Sequence, residues 1–388
     1  MSVTLKALLK NDFFIGVAIA LLWQLIMTLI GHLLFPDPDG KNMLHHMMRW
    51  DGGWYLIIIQ DHYIQNAASA AFYPLFPVTV GLLSIVTFGF FNYSFIALTL
   101  NTISLGFAIA GLLVIARHFG VTSKLRYLCV ALFLLSPAAF FLHQFYGEAL
   151  FVAIAFWAYA FALKRQWLFV GILLAALTAA RLPALLFIGL CALEYLRAYD
   201  WSIKKALNRN ASPFLLVPLG FITYGLYLLA ARGDFFAMFN AYKATTDWAY
   251  HTFNPNFIYT IAHGAYEVIL ALVGVLPLTS LMVTNIIIPL ISLILLGICS
   301  LYLIVRHRGI GIPLGIFGLV SIIFFTLNNN LVSIHRYTLP CLGIYIALTL
   351  IYSTHRKLRP LVLAIAILTA GIQTLLIYWL YTTDKFVG

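Results

Sequence analysis

A chain of 388 residues with 63% hydrophobic and only 9% charged side chains is no ordinary water-soluble domain, where about a quarter of residues are charged. Its net charge of +11 is divided into short basic clusters between long apolar runs, the pattern that orients membrane proteins, which excludes nucleic acid as a partner. The 8 Trp, 21 Tyr and 31 Phe suit broad interfacial belts.

The predicted elements follow one another as an all-α, polytopic bundle. Lys6 and Lys10 precede an uncharged run from Phe13 to Phe35. That run is too long for a signal-peptide core and long enough to span, so it reads as an uncleaved first helix. An outer loop over 36–93 follows, with an apolar stretch at 73–90 that opens on Pro74 and Pro77. A crossing there would put Arg117, Lys124 and Arg126 outside, so the stretch reads as interfacial or re-entrant. Spans are expected at 13–35, 94–116, 125–142 and 147–163. Between 167 and 196 two shorter apolar pieces meet at Arg181-Leu182-Pro183. Proline and its preceding residue interrupt a helix, which predicts a short broken pair inside the membrane. Spans at 213–231, 281–305, 311–328, 337–353 and 360–381 complete about 11 transmembrane helices in a single membrane-embedded domain over 1–388. The outer loops are then 36–93, 143–147, 232–280 and 329–336.

With the N-terminus inside, 16 of the 23 basic residues fall on the cytoplasmic side and 9 of the 12 acids on or near the outer edge. The four cysteines, Cys129, Cys191, Cys299 and Cys341, sit singly in apolar runs and read as small core residues. A compact chain without a retention signal favours a bacterial plasma membrane over the endoplasmic reticulum.

Polar residues collect on the expected outer side. Eight of the eleven histidines fall there (His32, His45, His46, His62, His143, His251, His263 and His335), with Asp51, Asp61, Glu148, Asp234, Asp247 and Glu267 near helix ends. Ionisable groups at the bilayer centre cost at least about 2.5–3.5 kcal/mol each, so their gathering implies a shared polar cavity. Interfacial decoration is the plainer alternative.

Four places carry the chemistry. In Arg49-Trp50-Asp51-Gly52-Gly53-Trp54-Tyr55, Asp51 reads as a general base beside the aromatic faces of Trp50, Trp54 and Tyr55, which suit a sugar. The alternative is a helix cap followed by a glycine turn. Glu148 opens a helix, where it either serves the site or answers the helix dipole. Arg181, between two apolar half-helices, needs an anion, either Glu148 or a ligand phosphate. His335-Arg336 sits at an outer helix start, to grip phosphate or, for the Arg, to snorkel.

Missing motifs narrow the reaction. The chain has no Walker loop, dinucleotide glycine fingerprint, His-Glu-x-x-His helix or Gly-x-Ser-x-Gly elbow. With the site outward and no nucleotide pocket, a lipid that carries its reactive head group through the bilayer reaches it more readily than a cytoplasmic nucleotide sugar.

Taken together, the segments resemble the PIG-V-like family of GPI mannosyltransferases and its bacterial relatives, in the GT-C superfamily of polyprenyl-phosphate-sugar-dependent glycosyltransferases. The resemblance rests on Arg49-Trp50-Asp51, on Phe72-Tyr73-Pro74-Leu75-Phe76-Pro77, and on Ser136-Pro137-Ala138-Ala139-Phe140-Phe141 followed by Tyr146-Gly147-Glu148-Ala149-Leu150-Phe151. Ala180-Arg181-Leu182-Pro183-Ala184 and the later Arg336-Tyr337 with Pro340 keep the same order. The chain departs in Gly147 and Ala149, where hydroxyl residues are common, and in Leu182-Pro183 after the arginine. The resemblance implies a GT-C-type bundle and inverting transfer of mannose from a polyprenyl-phosphate donor (dolichyl in eukaryotes) to a glycolipid or glycan hydroxyl. Asp51 is then the base, with Arg49, Trp50, Trp54, Tyr55, Tyr146, Glu148, Arg181, His335 and Arg336 around donor and phosphate. No cofactor is expected; a divalent metal fits without being required. A lipid-linked substrate transporter or flippase and a lipid-diphosphate glycan polymerase or ligase are the alternatives; the single helix break argues against the inverted repeats of the former.

Overall fold

The computed structural model describes residues 2–34, 47–243, 252–383 and 385. His45, His46, Lys41, Asp247 and His251 lie outside these residues. The described chain is 76% helical, with no strand among the described residues. Its contacts divide it into two compact units, Met1–Val130 with Phe140–Ala244 and Ala131–Ala139 with Thr245–Gly388.

The helices of the first unit are α1 (Ser2–Leu34), α2 (Asp51–Asp61), α3 (Leu75–Val86), α4 (Tyr93–His118), α5 (Arg126–Leu134, whose last residues belong to the second unit), α6 (Glu148–Leu163), α7 (Trp167–Thr178), α8 (Ala184–Ala198) and α9 (Leu219–Arg232). The second unit contains α10 (Phe257–Leu272), α11 (Ile288–Arg306), α12 (Gly311–Phe325), α13 (Ile334–Tyr337), α14 (Gly343–Thr354) and α15 (Arg359–Gly371).

Five helical stretches among the described residues are long and apolar enough to cross a membrane: Asp12–Leu34, Tyr93–His118, Arg209–Arg232, Ser280–Arg306 and Arg356–Thr382. The other apolar helices run from 12 to 16 residues. At 1.5 Å per residue these reach about 18–24 Å, short of the roughly 30 Å of a hydrocarbon core. The 12-residue α3 is one of them, in keeping with a piece that does not cross. The expected break at Arg181-Leu182-Pro183 is present: α7 stops at Thr178 and α8 resumes at Ala184.

Two expected spans and one expected loop differ. The run 125–142 is not one helix; α5 ends at Leu134, and a 3₁₀ turn takes over at Pro137–Leu142 because Pro137 cannot continue the ladder. The run 337–353 begins as a helix only at Gly343, beyond Pro340. The loop 232–280 contains the 16-residue α10, whose His263 and Glu267 stand one turn apart on its surface.

α1 and α4 pack with their backbones nearly in contact. A Cβ on Gly16 would lie 2.4 Å from the Gly106 carbonyl oxygen, so only glycine fits between them. At one end of this pair Asp12 joins Arg117 at 2.5 Å and Arg126 at 3.2 Å. Lys164, after α6, lies within electrostatic reach of Arg117 and Asp12. Three residues expected on the cytoplasmic side, Arg117, Arg126 and Lys164, therefore gather at one end of this pair. The free cysteines Cys129, Cys191, Cys299 and Cys341 are all buried, in keeping with their reading as core residues.

Candidate active site

The Arg49-Trp50-Asp51 turn is built by local bonds. Gly52 and Gly53 donate their backbone N–H groups to the Arg49 and Trp50 carbonyls, both at 3.0 Å, and α2 follows. Trp50 precedes the first helical residue with φ 54° and ψ −118° and is 37% exposed. A bulky L-residue in that region is strained by about 1–3 kcal/mol, and such strain persists only where the surroundings enforce it. Asp51 is half-buried and occupies the first helical position, while Trp50 holds the cap position without a side-chain cap bond. The cap position itself is thus held by Trp50, with Asp51 in the first turn of α2.

What enforces the turn is the segment 143–147. Expected as an outer loop, it is buried throughout the stretch from His143 to Tyr146. Buried loop backbone requires partners, and here it has them. Phe145 N–H donates to the Met47 carbonyl at 3.1 Å and the Tyr146 hydroxyl to the Arg49 carbonyl at 3.2 Å. Asn101 Nδ2 donates to the Gln144 carbonyl at 2.6 Å and Gln24 Nε2 to the Leu142 carbonyl at 3.2 Å. Gly52 permits the close seating: a Cβ there would lie 3.0 Å from Met47 O and 3.4 Å from the Phe145 side chain.

The next motif packs on the same place. Trp54 stacks on Phe72, ring centroids 5.8 Å apart and planes 14° off parallel. Tyr55 meets Phe72 and Phe76 edge-on at 5.5 and 5.1 Å, and Phe76 meets Phe145 at 5.6 Å. Gly147 stands where a Cβ would press on Phe76 at 3.1 Å, which accounts for the absence of a larger side chain there. Burial pushes the Tyr73 phenol up to about 12, so it is no rival base near neutral pH.

Glu148 is 3% exposed at the first position of α6, and Arg181, in the break between α7 and α8, forms an ion pair with it. Of the two anions expected for Arg181, the carboxylate is therefore present. The break is tied to the aromatic motif as well, since Leu75 N–H donates to the Ala179 carbonyl at 3.0 Å. Four sequence segments far apart in the chain thus meet: 47–55, 72–76, 143–148 and 179–181.

Other outer acids have structural partners. Asp61 accepts from the Gln65 and Asn66 backbone at 2.7 and 3.0 Å, closing the turn after α2. Asp234 accepts from Phe236 N–H at 2.8 Å and Asn240 at 2.9 Å.

His335 and Arg336 belong to the second unit, on the short α13 that starts after Ser333 at φ 64°. Arg336 is only 4% exposed, which argues against a snorkelling role. His335 borders an otherwise apolar cavity of about 240 Å³ between α11, α14 and α15.

A polar cavity of about 630 Å³ borders the end of α2 at Gln60, Asp61, Gln65 and Asn66. A second groove of about 940 Å³ is lined by Ile58, Ile59 and Tyr63, by α3 and by Tyr224 and Tyr227 of α9. It is mostly apolar. Sequence reasoning missed Gln24 and Asn101, neutral amides inside apolar helices whose partners appear only once 142–147 folds inward. Among the described residues no three His, Cys, Asp or Glu are grouped to hold a metal ion. Compared with family models and with curated proteins, the chain finds no match.

Proposed function

We propose that the protein is a glycosyltransferase that moves a hexose, mannose by resemblance, from a polyprenyl-phosphate donor to an acceptor hydroxyl on the extracytoplasmic side. The observation that carries this reading is the seating of Asp51 behind a strained Trp50, on a buried segment that ends in Glu148 and its Arg181. An acid held at such conformational cost among sugar-sized aromatic faces suits chemistry better than packing.

In the reaction Asp51 takes the proton from the acceptor hydroxyl as that oxygen attacks the anomeric carbon. The bond from that carbon to the phosphate oxygen breaks on the opposite face, with oxocarbenium character between. Polyprenyl phosphate leaves as an anion and needs cations rather than a general acid. Arg181, paired with Glu148, carries a planar guanidinium of the kind that suits phosphate. A water-poor site magnifies that attraction. The half-buried Trp54 offers a flat apolar face to the sugar, Tyr55 is enclosed behind it against Phe72 and Phe76, and the groove beside α2 and α3 matches a prenyl chain in size and character. Membrane lipids are the medium; these steps do not require a metal.

Incubation of purified protein with an acceptor mixture and three donors in turn (polyprenyl-phosphate-mannose, a nucleotide mannose and a lipid-diphosphate glycan) tests the reading. Free polyprenyl phosphate is expected from the first alone. Consumption of only the lipid-diphosphate glycan selects the ligase, and passage of uncleaved lipid across a vesicle selects the transporter. Either result overturns the proposal.

A further inference from the structure

The buried segment 142–147 carries polar groups that the transfer steps do not use. Gln24, deep within α1, donates from Nε2 to the Leu142 carbonyl and turns its Oε1 toward His143 Nδ1. A carbonyl oxygen only accepts, so the amide orientation is fixed and Oε1 must accept from the imidazole. His143 is then the Nδ1–H tautomer. Its ring stands edge-on to Trp23, with centroids 6.4 Å apart.

Stability alone does not account for this arrangement. His143 Nε2 and Asn101 Oδ1 are buried with no hydrogen-bond partner among the described residues. A leucine or phenylalanine would occupy such an apolar interior without leaving a polar atom unsatisfied. The same segment holds the Met47 and Arg49 carbonyls from its far side, two residues before Asp51, and runs directly into Glu148.

We infer that Gln24 and His143 are positioning residues, a membrane-buried clasp that fixes the register of 142–147 and so holds the Asp51 turn and Glu148 in one geometry. The clasp rests on the transfer reading only for its effect on turnover. Its effect on the turn is independent of any reaction.

The full-length protein with Trp50→Cys supplies a reporter of that turn. The four native cysteines are buried, so a membrane-impermeant maleimide added from outside reads position 50. His143→Leu and Gln24→Leu are each expected to change the labelling rate several-fold. In an otherwise wild-type background each lowers kcat roughly 10²-fold with KM little changed, the scale of a small misplacement of a catalytic group. The double leucine variant is no worse than the worse single, because both remove one link. His143→Asn, whose amide stands where Nδ1–H was, retains labelling and turnover, whereas His143→Gln, with its amide farther out, does not. This Asn-against-Gln pair decides the matter if the leucine variants fail to fold. Unchanged labelling and turnover in the leucine variants, or equal behaviour of Asn and Gln, overturns the clasp. If the wild type cleaves no lipid-phosphate sugar, the transfer reading falls and the labelling arm alone judges the clasp.

Discussion

Replacing Asp51 with Asn is expected to abolish the proposed sugar transfer and to leave the protein folded. The expected fall in kcat is about 10²–10⁴-fold, the contribution of a positioned general base, with little change in KM because Asn keeps the shape and most contacts. The structural cost is small by comparison. Asp51 stands in the first turn of α2, where a negative charge is worth about 0.3–1 kcal/mol against the helix dipole. That is too little to unfold the unit. The two readings of this residue therefore separate by magnitude. A structural acid predicts a variant with near-normal turnover and a slightly lower melting temperature, and a base predicts the reverse. Initial rates and thermal melting on the same detergent-purified samples measure both.

The ion pair between Glu148 and Arg181 gives the second large effect, this time on stability. Glu148 is almost fully enclosed, and the Arg181 side chain keeps only 17% of its surface. Arg181→Met leaves a carboxylate buried without its main counter-charge. Breaking a buried pair from one side costs about 3–5 kcal/mol, and the partial exposure of Arg181 places the loss near 3. Glu148→Gln with Arg181→Met removes both charges, and stability returns to within about 1 kcal/mol of wild type. Turnover is not expected to return, because in the proposed reaction the cation assigned to the leaving phosphate is still missing. Denaturant melts of the two single variants and the double variant read the first effect, and kcat reads the second. A double variant that regains both makes the pair purely structural.

Much of this arrangement is legible in the residues. Apolar runs and basic clusters announce a membrane protein, and the structure supplies helices of the required length. Proline chemistry marks the break at Arg181-Leu182-Pro183 correctly, because the ring removes a donor wherever it sits. The reading of 73–90 as a non-crossing piece rests on the charge bias of the loops flanking α4 and on Pro74 and Pro77, and the helix there, α3, is 12 residues long. Glu148 is legible as one of two partners for Arg181, since a lone buried cation demands an anion.

The rest depends on tertiary contacts that local pattern does not encode. An apolar count reads 125–142 as continuous, yet Ser136 and Pro137 end the helix, and the chain then folds inward as a 3₁₀ turn. The inward turn converts 143–147 from an expected outer loop into buried scaffold. Gln24 and Asn101 gain their meaning only from that burial, because a neutral amide in an apolar helix gives no signal alone. Helix α10 is hidden for a different reason: at 16 residues, with His263 and Glu267 on one face, it resembles a polar loop more than a span. The π-helical turns at Val283–Ile287 and Ile372–Ile377 leave no mark in hydropathy either, since they shift the ladder without changing composition.

The most direct test is the configuration of the new bond. With one base and a phosphate leaving from the opposite face, a donor of known anomeric form must give a product of the opposite form, which NMR of the anomeric carbon and proton determines. Inversion is the predicted result. Retention would require a sugar held covalently on the enzyme between two displacements, and with it Asp51 as nucleophile; that outcome, or no linkage at all from a lipid-phosphate donor, contradicts the account.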